Sequence, residues 1–129
     1  YQNFVYIGPL SYPDKVREYL AAIDVYALIS GMDLAPLTLK EAQLMEKPVI
    51  ATNVGGIPEM MQDKKTGFLV NQGDYNDLIE KITLLLENKD LAVKMGKNGR
   101  QFVMDGFSWE YVAKRFLDAV NSDLEHTKN

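Results

Sequence analysis

The chain has 129 residues, 47% apolar and 25% charged, the size and balance of one globular domain with a core of its own, which excludes disorder over most of its length. A formal net charge of −4, with lysines and arginines scattered among acidic residues, disfavours nucleic acid and other polyanions as partners. With no cysteine, disulfides, thiolate chemistry and cysteine zinc sites are excluded; the single histidine, His126, lies in a polar tail, which argues against a histidine base or a His-ligated metal.

Short apolar runs alternate with amphipathic stretches from the start of the chain. "FVYIG" (4–8) is expected as a strand, and "PDKVREYLAAI" as a helix with Val16, Tyr19, Leu20 and Ile23 on one face. "VYALIS" (25–30) reads as the next buried strand, "LTLKEAQLM" as a short helix, "PVIAT" (48–52) as a third strand and "TGFLV" (66–70) as a fourth. A helix between consecutive apolar strands predicts right-handed crossovers in a parallel sheet, so the fold class is α/β, a Rossmann-like parallel sheet of about four strands flanked by helices. Three helical stretches follow. Asp74 caps one carrying Leu78, Ile79, Ile82, Leu85 and Leu86; "DLAVKMGKNGRQFVMD" is a second, weakened by Gly96 and Gly99; Ser108 caps "WEYVAKRFLDAVNSDL". The tail "EHTKN" is expected to fray. The first residues carry no basic region followed by a long apolar stretch, and no window approaches the ~18 apolar residues of a membrane span, so the expectation is a soluble domain without a targeting signal.

In open α/β sheets ligands bind beyond the carboxyl ends of the strands, where loops lead into helix N-termini that favour anions. Here those loops are "GPLSYP", "SGMDLAP" and "TNVGGIP". The second holds Asp33, and Glu41 follows about one turn into the next helix, close enough for both carboxylates to face one cleft. The bare spacing fits equally a solvated loop residue with a helix-dipole partner, and a Gly-Gly pair is more often a turn than a phosphate cradle.

Taken together, "VYIGPL", "YLAAIDVYALIS", "DLAPLTLKEAQLMEKPVIATNVGGIPEMMQDKKTGFLV", "MGKNGRQFV" and "FSWEYVAKRF" resemble the donor-binding half of retaining, nucleotide-sugar-dependent group 1 glycosyltransferases, whose GT-B arrangement pairs two Rossmann-like domains. The likeness covers nearly the whole chain. Asp33 and Glu41 stand at the two acidic positions of the family's E-x7-E motif. The resemblance implies that Glu41 clamps the ribose hydroxyls and that Asp33, as the catalytic-site residue, holds a hydroxyl of the donor sugar. It further implies that backbone N–H groups near Leu37 and Thr38 meet the diphosphate, that Pro9 and Leu10 lie near the base, and that Gly55 and Gly56 form a turn at the cleft mouth. The donor is then a nucleoside diphosphate sugar, no metal or other cofactor is expected, and the acceptor is a sugar, lipid or polysaccharide. The implied setting is carbohydrate biosynthesis in the cytoplasm or at the inner face of the membrane.

The chain departs from the pattern in three ways. Aspartate replaces the usual glutamate at 33, and Leu34-Ala35-Pro36 replace two flexible glycines, Pro36 offering no N–H. The family's diphosphate-neutralising Arg and Lys, in an opening strand, have no counterpart here. Residues 1–129 are therefore expected to be a donor-domain fragment without its first strand and the N-terminal acceptor domain, inactive alone and prone to self-association through uncovered apolar surface. A Rossmann oxidoreductase is disfavoured because no G-x-G-x-x-G follows the first strand, and a receiver-type module because Asp33 lacks an acidic cluster. The alternative from another class is a non-catalytic nucleotide-sugar-binding or interaction domain derived from these transferases.

Overall fold

The computed structural model describes residues 6, 8, 11, 14–29, 37–106, 117, 118, 120 and 121. Helix α1 (Asp14–Ala22) opens the described fold, with Asp14 in its first turn where a carboxylate favours the helix dipole. Leu20 is buried and Val16 and Ile23 pack beside it, whereas Tyr19, placed on the same face by periodicity, is exposed. The Lys47 Nζ donates to the Ala21 carbonyl at 3.1 Å and so satisfies one of the acceptors left free at the end of α1.

Strands β1 (Tyr26–Leu28), β2 (Val49–Thr52) and β3 (Gly67–Val70) form a parallel sheet in that order. Tyr26 pairs with Val49, and Val49 with Gly67, so the three strands run in step. Each pair is joined through a helix: α2 (Leu37–Leu44) between β1 and β2, and α3 (Ile57–Met60) between β2 and β3. Helices α4 (Tyr75–Glu87) and α5 (Lys89–Gly106) follow β3. The fold is α/β, as expected, with three strands among the described residues; the strand expected over 4–8 lies outside them.

The central strand explains how the core divides. All of β2 is buried, and its side chains alternate between two faces. Val49 and Ala51 join Leu20, Leu39, Ala42, Ile57 and Met61 on one side. Ile50 joins Phe68, Val70, Leu85 and Met95 on the other. Strand β1 is shorter and less buried than expected: Tyr26 and Leu28 are half-buried and Ala27 is exposed. Among the described residues it pairs with β2 alone.

Asp74 caps α4 as expected, its Oδ1 accepting from the Asp77 N–H at 3.1 Å. Only part of the apolar set on α4 turns inward. Leu78, Ile82 and Leu85 recur at i, i+4 and i+7 and pack on the second cluster. Ile79 and Leu86 fall about 100° further round the helix and are 62% and 59% exposed. Asn88 then closes one helix and opens the next, since its N–H donates to Leu84 O while its Oδ1 accepts from Leu91 N at 3.1 Å.

The expected helix forms despite the propensity cost of its glycines: α5 runs unbroken for 18 residues through Gly96 and Gly99. Both are buried where α5 packs on α2. A Cβ at Gly96 would stand 2.0 Å from the carbonyl oxygen of Glu46, so the missing side chain is what lets the two backbones approach. The capping role expected of Ser108 and most of the last helix lie outside the described residues; 117, 118, 120 and 121 are helical. Among the described residues no helix is long and apolar enough to cross a membrane.

Candidate functional site

Because the strands are parallel and each is followed by its helix, the N-termini of α2, α3 and α4 all open at the carboxyl end of the sheet. The Thr52 hydroxyl donates to Leu28 O at 3.3 Å and the Asn53 N–H to Val70 O at 2.8 Å, tying together the points where the chain leaves the strands. The loop surfaces there are thus held at fixed spacing by backbone partners.

Leu37 and Thr38 open α2, so their N–H groups belong to the first turn, which has no acceptor within its own helix. The first turn of α2 carries no acidic residue, whereas Asp14, Glu59, Asp77 and Asp90 stand in the first turns of α1, α3, α4 and α5. Lys40 lies there instead. No carboxylate of that turn competes for the positive end of the helix. The exposed Thr38 hydroxyl shares a hydrogen bond of 2.7 Å with the hydroxyl of Tyr26, which reaches from β1 to the mouth of α2.

Glu41 lies one turn into α2 and is half-buried. Its Oε1 is closed off from solvent and has no hydrogen-bond partner among the described residues. Its helix neighbours Leu39 and Ala42 are fully buried in the core, which fixes the rotation of α2 and leaves Glu41 half-buried rather than free in water. A carboxylate oxygen removed from water without a donor is costly, and such a group in a native fold calls for an explanation.

Gly55 and Gly56 form the turn after β2. Gly55 has φ of 52° and is exposed, so glycine suits it; Gly56 has φ of −84° and ψ of −2°, open to any residue, and stands at the N-cap of α3 without a side-chain cap. The segment "GGIPEMM", read as loop at its start, becomes a four-residue helix with proline in its first turn. The structure therefore brings Leu37, Thr38, Glu41 and the Gly55-Gly56 turn to one end of the sheet. Asp33, Pro9 and Leu10 lie outside the described residues. Sequence reasoning missed two participants. Tyr26 was counted only as a strand residue, and Gln43, fully buried on α2, breaks an apolar stripe four residues after Leu39; that break in pattern was the available signal. Among the described residues no three His, Cys, Asp or Glu side chains come together as a cation site.

Residues 2–102 match the family described as Glycosyl transferases group 1. The chain belongs to this family. A trehalose synthase of Thermococcus litoralis is 43% identical over 108 residues, covering 84% of this chain and 26% of that protein. A GDP-mannose-dependent alpha-(1-6)-phosphatidylinositol monomannoside mannosyltransferase of Mycobacterium tuberculosis is 33% identical over 117 residues, 85% of this chain and 30% of the relative. Among solved structures, a sucrose-phosphate synthase from Thermosynechococcus elongatus superposes with a TM-score of 0.72 at 31% identity, over 84% of this chain and 27% of that one. This group 1 glycosyltransferase chain thus spans about a quarter to a third of the length of these relatives.

Proposed function

We propose that the chain is the donor-binding part of a retaining glycosyltransferase that takes its sugar from a nucleoside diphosphate and passes it to a sugar, lipid or polysaccharide acceptor bound by another domain. The observation that carries this reading is the orphaned, buried Oε1 of Glu41 one turn inside a helix whose first turn is free of acidic residues. An ionised carboxylate accepts without donating, so it suits a vicinal diol such as a ribose 2′,3′-pair, two hydroxyls that supply the donors it lacks. The free N–H groups near Leu37 and Thr38 then face the diphosphate that follows the ribose. The GDP-mannose dependence of the mycobacterial relative supports a nucleotide sugar as donor.

In this reading the reaction gains most from charge stabilisation. As the glycosidic bond to the diphosphate breaks, negative charge grows on the departing oxygens, and amides already aimed at them need no reorganisation. Asp33 holds a hydroxyl of the donor sugar and so orients the reacting carbon, a positioning contribution. The site needs no metal, because the helix end and cationic side chains of the complete enzyme carry the compensation. A cytoplasmic enzyme, or one peripheral at the inner face of the membrane, fits this donor class.

The test is an amide-resolved NMR titration of the chain with UDP and GDP, set against uridine and guanosine. The diphosphates should shift the amides of residues 37–41 and the nucleosides should bind more weakly; Glu41→Gln should weaken both classes by roughly tenfold, about 1.5 kcal/mol for a charge-assisted bond lost. Absence of any shift at residues 37–41 up to ~10 mM nucleotide would refute the reading.

A further inference from the structure

Gln43 is a fully buried amide on the apolar face of α2, beside Leu39 and Ala42. Its Nε2 donates to the Met60 carbonyl at 2.9 Å and to the Leu39 carbonyl at 3.3 Å. Its Oε1 is buried with no hydrogen-bond partner among the described residues. On the facing helix a Cβ at Gly99 would lie 3.2 Å from the Gln43 Cγ and 3.5 Å from its Oε1, so α5 closes over the amide and leaves no opening to water.

Stability alone does not select this side chain. A methionine would fill a similar volume and pack on the same neighbours, trading the unpaired Oε1 for the loss of the donor to the Met60 carbonyl. Glutamine differs in one respect: it holds the carbonyl of Met60, the last residue of α3. Helix α3 is only four residues long, too short to hold its own place, and it begins directly after the Gly55-Gly56 turn. The same Gln43 stands two residues beyond Glu41 on α2. One part-buried hydrogen bond therefore joins α2, which carries Glu41, to α3, which follows the Gly55-Gly56 turn.

We propose that Gln43 is a positioning residue that sets the spacing between Glu41 and the Gly55-Gly56 turn through its bond to the Met60 carbonyl. It does not touch the nucleotide; it holds the two surfaces that do. The proposal rests on the reading of this cleft as a nucleotide-sugar site.

Gln43→Met separates positioning from packing, and Gln43→Leu serves as a second variant of smaller side chain. Three quantities are measured on the chain: melting temperature, amide hydrogen exchange across residues 55–61, and UDP and GDP affinity by NMR titration. Gln43→Met should melt within a few degrees of the parent chain, because losing the unpaired oxygen offsets losing the donor to the Met60 carbonyl. Exchange at residues 55–61 should quicken about tenfold while β2 and α5 keep their protection. Nucleotide affinity should fall about three- to thirtyfold. A fall in melting temperature accompanied by faster exchange in every element would make Gln43 an ordinary core residue and overturn the proposal. If Glu41→Gln weakens binding while both Gln43 variants bind like the parent, the role of Gln43 alone fails. If the parent chain binds neither nucleotide, the reading of the cleft fails and takes the proposal with it.

Discussion

Replacing Gly96 by alanine tests whether α2 and α5 are held at a distance that only a missing side chain permits. The added methyl would sit 2.0 Å from the Glu46 carbonyl oxygen and 2.7 Å from its carbon. A carbon–oxygen contact relaxes at about 3.3 Å, so α5 must retreat by more than ~1 Å. A gap of that width forfeits a quarter to a half of each dispersion contact across the interface, where Gly99 meets the Gln43 side chain. The obstacle is backbone, which cannot swing aside as a long side chain would, so the cost lies at the upper end of overpacking, about 3 kcal/mol. Alanine recovers about 1 kcal/mol of helix propensity. The expected net loss is ~2 kcal/mol, read as a drop of about 1 M in the urea midpoint at unchanged slope. Gly106→Ala is the control, since nothing lies within 4 Å of the added methyl, and it should be neutral or gain up to ~1 kcal/mol. Gly99→Ala falls between, because its nearest neighbours are side-chain atoms of Gln43 at 3.2 and 3.4 Å. A Gly96→Ala chain as stable as Gly106→Ala would refute the close approach of the two helices.

Leu85→Ala should cost about 2–5 kcal/mol in denaturant unfolding, because Leu85 is 2% exposed, while Leu86→Ala next to it, 59% exposed, should change stability by less than ~0.5 kcal/mol. Equal effects would mean that α4 is rotated from the face described. Asp74→Ala removes the acceptor for the Asp77 N–H and should cost ~1 kcal/mol, whereas Asp74→Asn should restore most of it; no difference between the two would remove the cap from the account. Tyr26→Phe deletes one member of the hydroxyl pair with Thr38 and should cost about 1 kcal/mol, yet cost nothing in a Thr38→Val background. Additive losses in that cycle would show that the two hydroxyls do not act together.

The alternation of strands and helices was legible because parallel strands buried on both faces must be continuous apolar runs. "PVIA" was the clearest case and is the most buried strand. The cap at Asp74 was legible for a similarly local reason, a short acidic side chain before an apolar-periodic stretch. The packing role of the α5 glycines was not legible, because propensity counts only the helix itself. Gly96 costs the isolated helix stability, but its value lies in Glu46, fifty residues earlier and invisible to a local rule. Helix α3 was missed for the opposite reason. Four residues between a Gly-Gly turn and strand β3 have too little periodicity to register, and packing of Ile57 and Met61 into the core holds them helical.

The site divides along the same line. Glu41 was legible as a position, since a carboxylate one turn into a short apolar helix at the carboxyl end of a strand already suggests a polar ligand. What the sequence does not contain is the state of that carboxylate: its Oε1 closed off from water with no donor beside it follows from how Leu39 and Ala42 seat α2 on the sheet. That seating is non-local. It depends on β2 behind the helix and on the glycines of α5 beside it, so the residues that fix Glu41 in place are those whose own sequence signature is packing. The same logic applies to Gln43. A polar residue in an apolar stripe is an anomaly in one dimension, and it becomes interpretable only when α3 supplies the Met60 carbonyl from across the cleft. In this fold, then, the side chains proposed to meet the nucleotide are announced by local pattern, whereas those that hold the helices in place appear locally as errors in the pattern.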